Sequence, residues 1–160
     1  MKGIDYFKHE ILGYFIIEEK INGISSITLS EKKPKIDVIK SYEIENCKKQ
    51  LNEYFNGKRK IFDVKLDIQG SEFRKKAWNE LLKIPYGKTI SYEEQAIKIG
   101  NPKAARAVGQ ANGDNPILII IPCHRVIGKN NSLRGFSSFG GIEVKKYLIE
   151  LEKIIYKRRK

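Results

Sequence analysis

Two cysteines and two histidines are all that 160 residues hold of the side chains that most often cross-link small folds or ligate transition metals. Two thiols, Cys47 and Cys123, are too few for a disulfide framework. No CxxC or HxxxH pair is present and His9 is isolated, so neither a metal site nor a cofactor is expected. Long apolar runs are missing too. None nears the ~18 residues of a membrane span, and the opening MKGIDYFKHE has no signal-peptide core. The expectation is a soluble, cytoplasmic monomer with no membrane partner. Its length suits one domain or two small ones.

Acidic residues are the next scarcity, 19 against 31 Lys and Arg, and they are unevenly short. Residues 1–69 hold 13 Lys/Arg and 11 Asp/Glu, a net of +2; residues 70–160 hold 18 and 8, a net of +10. The second half therefore carries nearly all of the excess positive charge. That asymmetry points to an anionic partner for it, with nucleic acid the leading class.

The first third reads as strands. YFIIEEK and GISSITLS are apolar and β-branched, with Asn22-Gly23 between them as a hairpin signal. Ile44, Cys47, Leu51, Tyr54 and Phe55 follow helical spacing, and Gly57 stops the run. After FDVKLDIQG a boundary falls near Gly70, giving an N-terminal domain 1–69 and a C-terminal domain 70–160. SEFRKKAWNELLKI then sets Phe73, Ala77, Trp78, Leu81 and Leu82 on one stripe, with Ser71 as N-cap and Pro85 as terminator. Ser91 and Glu94 make a capping box for a helix from Tyr92 to Ile99, with Gly100 as its C′ residue. Asn101 and Pro102 suit the N-cap and N1 of a second helix, Lys103 to Asn112, so the pair reads as a helix-turn-helix. That second helix is rich in small residues, among them Ala104 and Ala105. Its cations, Lys103 and Arg106, lie three apart and near one face. IEVKKYLIELEKIIYKRR closes the chain as an amphipathic helix, with Val144, Tyr147, Leu148, Leu151 and Ile155 inward.

Between them, the apolar run Ile117 to Ile121 reads as a buried strand that leads into Pro122, Cys123, His124 and Arg125. A thiol reacts as its thiolate, so a nucleophilic Cys123 needs a base or a positive field. In an extended segment the adjacent His124 points to the opposite face. A turn at Pro122–Cys123 or a bridging water is then required to couple the two. A base is in turn oriented, usually by a carboxylate. Lys145 and Glu152, seven apart on the last helix, share a face at the border of its apolar stripe and are candidates to reach such a site. Spacing alone also fits a coincidence on a solvated surface.

IPYGKTISY, NPKAARAVGQANGDNP and IPCHRVI together resemble the O6-alkylguanine-DNA alkyltransferases, the methylated-DNA–protein-cysteine methyltransferases. The resemblance runs from about Gly70 to Glu152, and the region before it has the length and order of that family's N-terminal domain. It implies an α+β fold: a small N-terminal β-sheet with a helix, ribonuclease H-like, and a C-terminal helical domain with a helix-turn-helix. It implies that Cys123 takes an alkyl group from O6 of guanine in double-stranded DNA, once and irreversibly. His124 would act through a bridging water, and Glu152 would orient it. Asn115 would hold the turn before the thiol. Tyr92 would supply a proton to N3 of guanine, and Lys145 would support the O6 side. Arg106 would be the finger that replaces a flipped nucleotide. Lys103, Ala104, Ala105 and Arg125 would join Tyr92 at the DNA surface, in the minor groove. Val126, Phe136 and Ser137 would line the pocket.

This sequence departs from the family in a longer loop, GFSSFGG, and in Gln95, which stands where an aliphatic residue is usual; weaker helix packing is expected there. Other readings are a non-catalytic binder of alkylated guanine, a DNA-binding regulator and a Cys-His hydrolase. The motif cysteine argues against the first, the lack of a second sensory domain against the second, and the +10 half against the third.

Overall fold

A computed structural model describes residues 1–129 and 141–158. The described chain forms two compact units. One holds Met1–Gln69 with Pro116–Leu118; the other holds Gly70–Asn115 with Ile119–Lys160.

The first unit is a three-stranded antiparallel meander, β1 (Gly3–His9), β2 (Gly13–Lys20) and β3 (Gly23–Ser30), packed on α1 (Tyr42–Phe55). Strand β1 lacks a clear alternation in the sequence; it pairs along its whole length with β2, from Gly3↔Glu19 to His9↔Gly13. Phe15, Ile17, Ile24 and Ile27 point inward and meet Ile44, Leu51 and Tyr54 of α1, all at 1% exposure or less. Each such side chain contributes about 1.5–3 kcal/mol of burial. Ser41 caps α1 by accepting from the Ile44 amide, and Gly57, at φ 72, follows its end. Cys47 is fully buried, and burial, helped by Glu43, pushes its thiol up to about 12, so it is inert. Ile117 joins this unit through a parallel bridge to Ile27.

The second unit is helical. Its elements are α2 (Glu72–Leu81), β4 (Ile90–Ser91), α3 (Tyr92–Lys98), α4 (Ala105–Gly113), a 3-10 turn (Cys123–Arg125), β5 (Val126–Ile127) and α5 (Gly141–Arg158). Ser71 caps α2, and Ser91 and Glu94 complete the capping box of α3. The end of α3 is a Schellman motif: Asn101 N–H donates to Ala96 C=O, Gly100 N–H to Ile97 C=O, and Gly100 takes φ 82. Helix α4 starts later than the sequence suggests. Asn101 does not cap it; its carbonyl closes a tight turn by accepting from the Ala104 amide at 3.0 Å. Ala104 is then the N-cap, with no side-chain cap.

Trp78, Ala96, Val108, Ala111, Val126 and Leu148 form the core of this unit. The Trp78 indole also donates to Ala111 C=O at 2.7 Å, tying α2 to α4. Leu82, expected inward, is 40% exposed, because α2 ends at Leu81 and the chain turns away there. The inward face of α5 is rotated from the expected stripe as well. Val144, Lys145, Leu148, Ile149 and Glu152 are the buried residues, while Tyr147, Leu151 and Ile155 are partly exposed.

Candidate active site

The segment before the thiol is not a strand. Residues 118–120 are a turn, and Ile119 takes φ 73, which no other non-glycine among the described residues does. A β-branched residue there is strained, at a cost of about 1–3 kcal/mol. The Asn115 amide braces this turn by donating to Ile121 C=O at 2.6 Å. The same carbonyl accepts from the Cys123 amide at 2.8 Å around Pro122 (φ −84, ψ 66), an inverse γ-turn. The chain then winds into the 3-10 turn, with Arg125 N–H on Pro122 C=O at 3.0 Å and Val126 N–H on Cys123 C=O. The alternation that would set Cys123 and His124 on opposite faces is therefore absent.

Two short parallel strands bring the rest together. Ile90 pairs with Val126 and Ser91 with Ile127, so the start of α3 lies beside the Cys-His turn. Tyr92 is the first residue of α3, and its hydroxyl accepts from the Lys145 ammonium at 3.2 Å; the ammonium also lies 5.5 Å from the ring centroid. Lys145 is 1% exposed. Two turns along α5, Glu152 is 2% exposed and meets the fully buried His124, with Nε2 and Oε2 2.5 Å apart.

Arg125, expected at the DNA surface, is instead buried in the structure, with Nε 2.9 Å from Glu152 Oε1, Nη2 3.1 Å from Oε2 and Nη1 donating to Ile84 C=O at 2.8 Å. Its guanidinium also stands 5.6 Å from the Tyr86 ring centroid. The fork matches a carboxylate bidentately, so the buried Glu152 holds it. Gly87 N–H adds another donor to Glu152 Oε1, at 3.1 Å. The IPYGK segment thus supplies the backbone of the relay through Ile84 and Gly87, a role that no single side chain there signals. The other residue whose role sequence spacing missed is Asn112, buried against Gln95.

These contacts set the charges. Burial would raise the Glu152 pKa, but His124 and then Arg125 outweigh it and hold the carboxyl well below its ordinary range. Burial lowers His124, against the pull of Glu152, so the ring is neutral. With Glu152 ionised, Nε2 carries the proton and donates it to the carboxylate, which leaves Nδ1 as a buried acceptor. Nδ1 has no hydrogen-bond partner among the described residues. Burial raises the Cys123 thiol, opposed by a hydrogen bond from Asn115 and by the charge of Lys145. The resting group is thus a protonated thiol, next to a neutral imidazole with an open acceptor and a buried cation. That arrangement can remove a proton and stabilise the thiolate at the moment of reaction.

Arg106 and Lys103 are exposed, and Ala104 and Ala105 half-buried, at the start of α4. Val108, Ala111 and Asn112 turn inward, so Arg106 points away from the core. Val126 is fully buried beneath the turn. Phe136 and Ser137 lie outside the described residues.

Comparison with known proteins meets this site from two directions. Residues 72–154 match the family model of the 6-O-methylguanine DNA methyltransferase DNA-binding domain, and residues 6–68 that of its ribonuclease-like domain. A methylated-DNA–protein-cysteine methyltransferase of Methanosarcina acetivorans is 46% identical over 147 residues, 88% of this chain and 92% of that protein. A constitutive one of Bacillus subtilis is 42% identical over 156 residues, covering 92% and 94%. Among solved structures, Mycobacterium tuberculosis O6-methylguanine methyltransferase aligns at TM-score 0.82 and 40% identity, over 94% of this chain and 93% of that one. The M. tuberculosis OGT in complex with DNA aligns at TM-score 0.80 and 43% identity, over 90% and 89%. Motif, fold and both domain models agree, and the chain belongs to the 6-O-methylguanine DNA methyltransferase family.

Proposed function

We propose that Cys123 is the acceptor in the methylated-DNA–protein-cysteine methyltransferase reaction of this family, taking the alkyl group from O6 of a guanine flipped out of double-stranded DNA. The observation that carries the assignment is the buried Glu152–His124 pair, whose open Nδ1 belongs to the residue next to the thiol. A water bridging Nδ1 and the thiol suits a polar site with one acceptor and one donor to join.

The step balances as a single displacement. The thiol proton passes through the water to His124 Nδ1, and the imidazolium rests against Glu152. The sulfur attacks the alkyl carbon, the S–C bond forms and the C–O6 bond breaks. The leaving guanine takes up the electron pair and is neutralised by a proton from Tyr92 at N3. Lys145, in contact with the Tyr92 oxygen, stabilises the phenolate and shifts the balance toward thiolate. The product is a thioether with no route back, so each molecule reacts once. Arg106 fills the space of the extruded nucleotide, while Lys103, Ala104 and Ala105 lie against the minor groove, a surface suited to close approach rather than base-edge readout. The protein acts as a monomer of two domains, 1–69 and 70–160, and works in the cytoplasm of a cell whose DNA lies there. Among the described residues no helix is long and apolar enough to cross a membrane.

Incubation with a duplex containing O6-methylguanine, followed by intact mass and peptide mapping, tests this. The expected result is one added methylene on Cys123, at no more than one equivalent. Turnover beyond one equivalent, or a bound duplex with no adduct, overturns it.

A further inference from the structure

Gln95, the departure that promised weaker packing, makes a specific contact instead. It is fully buried in α3, and Asn112 of α4 is 2% exposed. Their amides are reciprocal: Gln95 Nε2 donates to Asn112 Oδ1 at 3.0 Å, and Asn112 Nδ2 donates to Gln95 Oε1 at 2.7 Å. Gln95 Nε2 also donates to Ala77 C=O of α2 at 3.1 Å. The other buried side chains of α2, α3 and α4 are apolar apart from the Trp78 indole N–H, among them Ala77, Trp78, Ala96, Val108 and Ala111.

Apolar surfaces tolerate sliding, whereas a reciprocal amide pair closes at one register, and any other strands two buried amides. The register matters because of what lies one turn away. Tyr92 precedes Gln95 by one turn on α3, and Gly109 precedes Asn112 by one turn on α4. A Cβ placed on Gly109 would lie 3.7 Å from Cδ1 and Cε1 of Tyr92, so the ring rests on α4 at that glycine. The same α4 carries Arg106 on its outer face.

We propose that Gln95 and Asn112 are positioning residues, which lock α3 and α4 in one register so that Tyr92 stays at the reacting guanine while Arg106 enters the duplex. The inference rests on the reaction proposed at Cys123. A free alkylated base needs the pocket alone; a duplex needs the pocket and the finger in fixed relation. The pair therefore controls the ratio of the two reactivities.

The test compares the wild type with Gln95→Leu/Asn112→Leu, which removes both amides together, and with Gln95→Met. Single-turnover rates are measured with an O6-methylguanine duplex and with free O6-methylguanine base, and thermal melts report folding. The expected outcome is a duplex-to-free-base rate ratio at least ten-fold below wild type in the folded variants. An unchanged ratio, or an equal fall in both rates, overturns the inference. Should the double variant fail to fold, the ratio in Gln95→Met decides. A wild type that forms no adduct at Cys123 instead overturns the underlying reaction, and is distinguished because it fails before any variant is compared.

Discussion

Glu152 keeps its charge at 2% exposure because His124, Arg125 and the Gly87 amide all donate to it. Such a buried carboxylate is stable only while its partners remain. Arg125→Met should therefore lower unfolding free energy by about 3–5 kcal/mol, since it strands a buried charge. It should also alter the reaction in a way a packing defect would not. The charge of Arg125 is one of the forces that lower the His124 pKa, so its removal raises that pKa. The imidazole then loses its free acceptor at a higher pH, and the acid limb of the single-turnover rate shifts upward. Rate against pH on the damaged duplex, beside chemical denaturation, checks both outcomes. Equal fractional loss of rate at every pH would remove Arg125 from control of the relay.

The helix-turn-helix separates two jobs by face. Its inward residues, Gln95, Ala96, Val108, Ala111 and Asn112, hold the unit together, while Arg106 projects outward. Unstacking a base costs a few kcal/mol, and a side chain that fills the gap recovers part of it. Losing about 3 kcal/mol corresponds to a rate loss on the order of 100-fold. Arg106→Ala should thus react on duplex about 100-fold more slowly, with its reaction on free alkylated base unchanged. Paired single-turnover assays measure this. Equal rates of the variant and wild type on duplex would refute the finger role. The β4–β5 bridge is the other element that matters: two residue pairs, Ile90↔Val126 and Ser91↔Ile127, set the start of α3 beside the Cys-His turn.

For the molecule as a whole, the His124–Glu152 pair and the two buried thiols make stability depend on pH. The His124 pKa is depressed below its ordinary 6.5 by burial, so the unfolded chain binds that proton first and stability falls as pH drops below 6.5. Glu152, held below its ordinary 4.5 by His124 and Arg125 against burial, adds a second loss below 4.5. Burial raises Cys123 and Cys47 above 9.0, Cys47 to about 12, so the unfolded chain ionises first in base and stability declines above pH 9.0. Unfolding free energy should therefore form a plateau between about pH 6.5 and 9. Denaturant titrations across pH give the test, and an unfolding free energy that increases as pH is lowered below 6 would contradict it.

Much of this was local information. Ser71, the Ser91–Glu94 box and Gly100 mark helix ends because capping is satisfied within four residues, and the 3.6-residue spacing of α1 needs no partner to be read. The family motif named the thiol and its neighbours, since chemistry demands those residue types. What the sequence could not show was where each polar group would find its partner. Ile117–Ile121 has the composition of a strand, yet Asn115, Pro122 and the strained Ile119 bend it into the turn that carries Cys123. Arg125 has the composition of a DNA contact, and Gln95 that of a packing fault. Each is decided by a residue distant in the chain, Glu152 for one and Asn112 for the other, because a buried charge or amide is stable only against a partner that tertiary structure delivers.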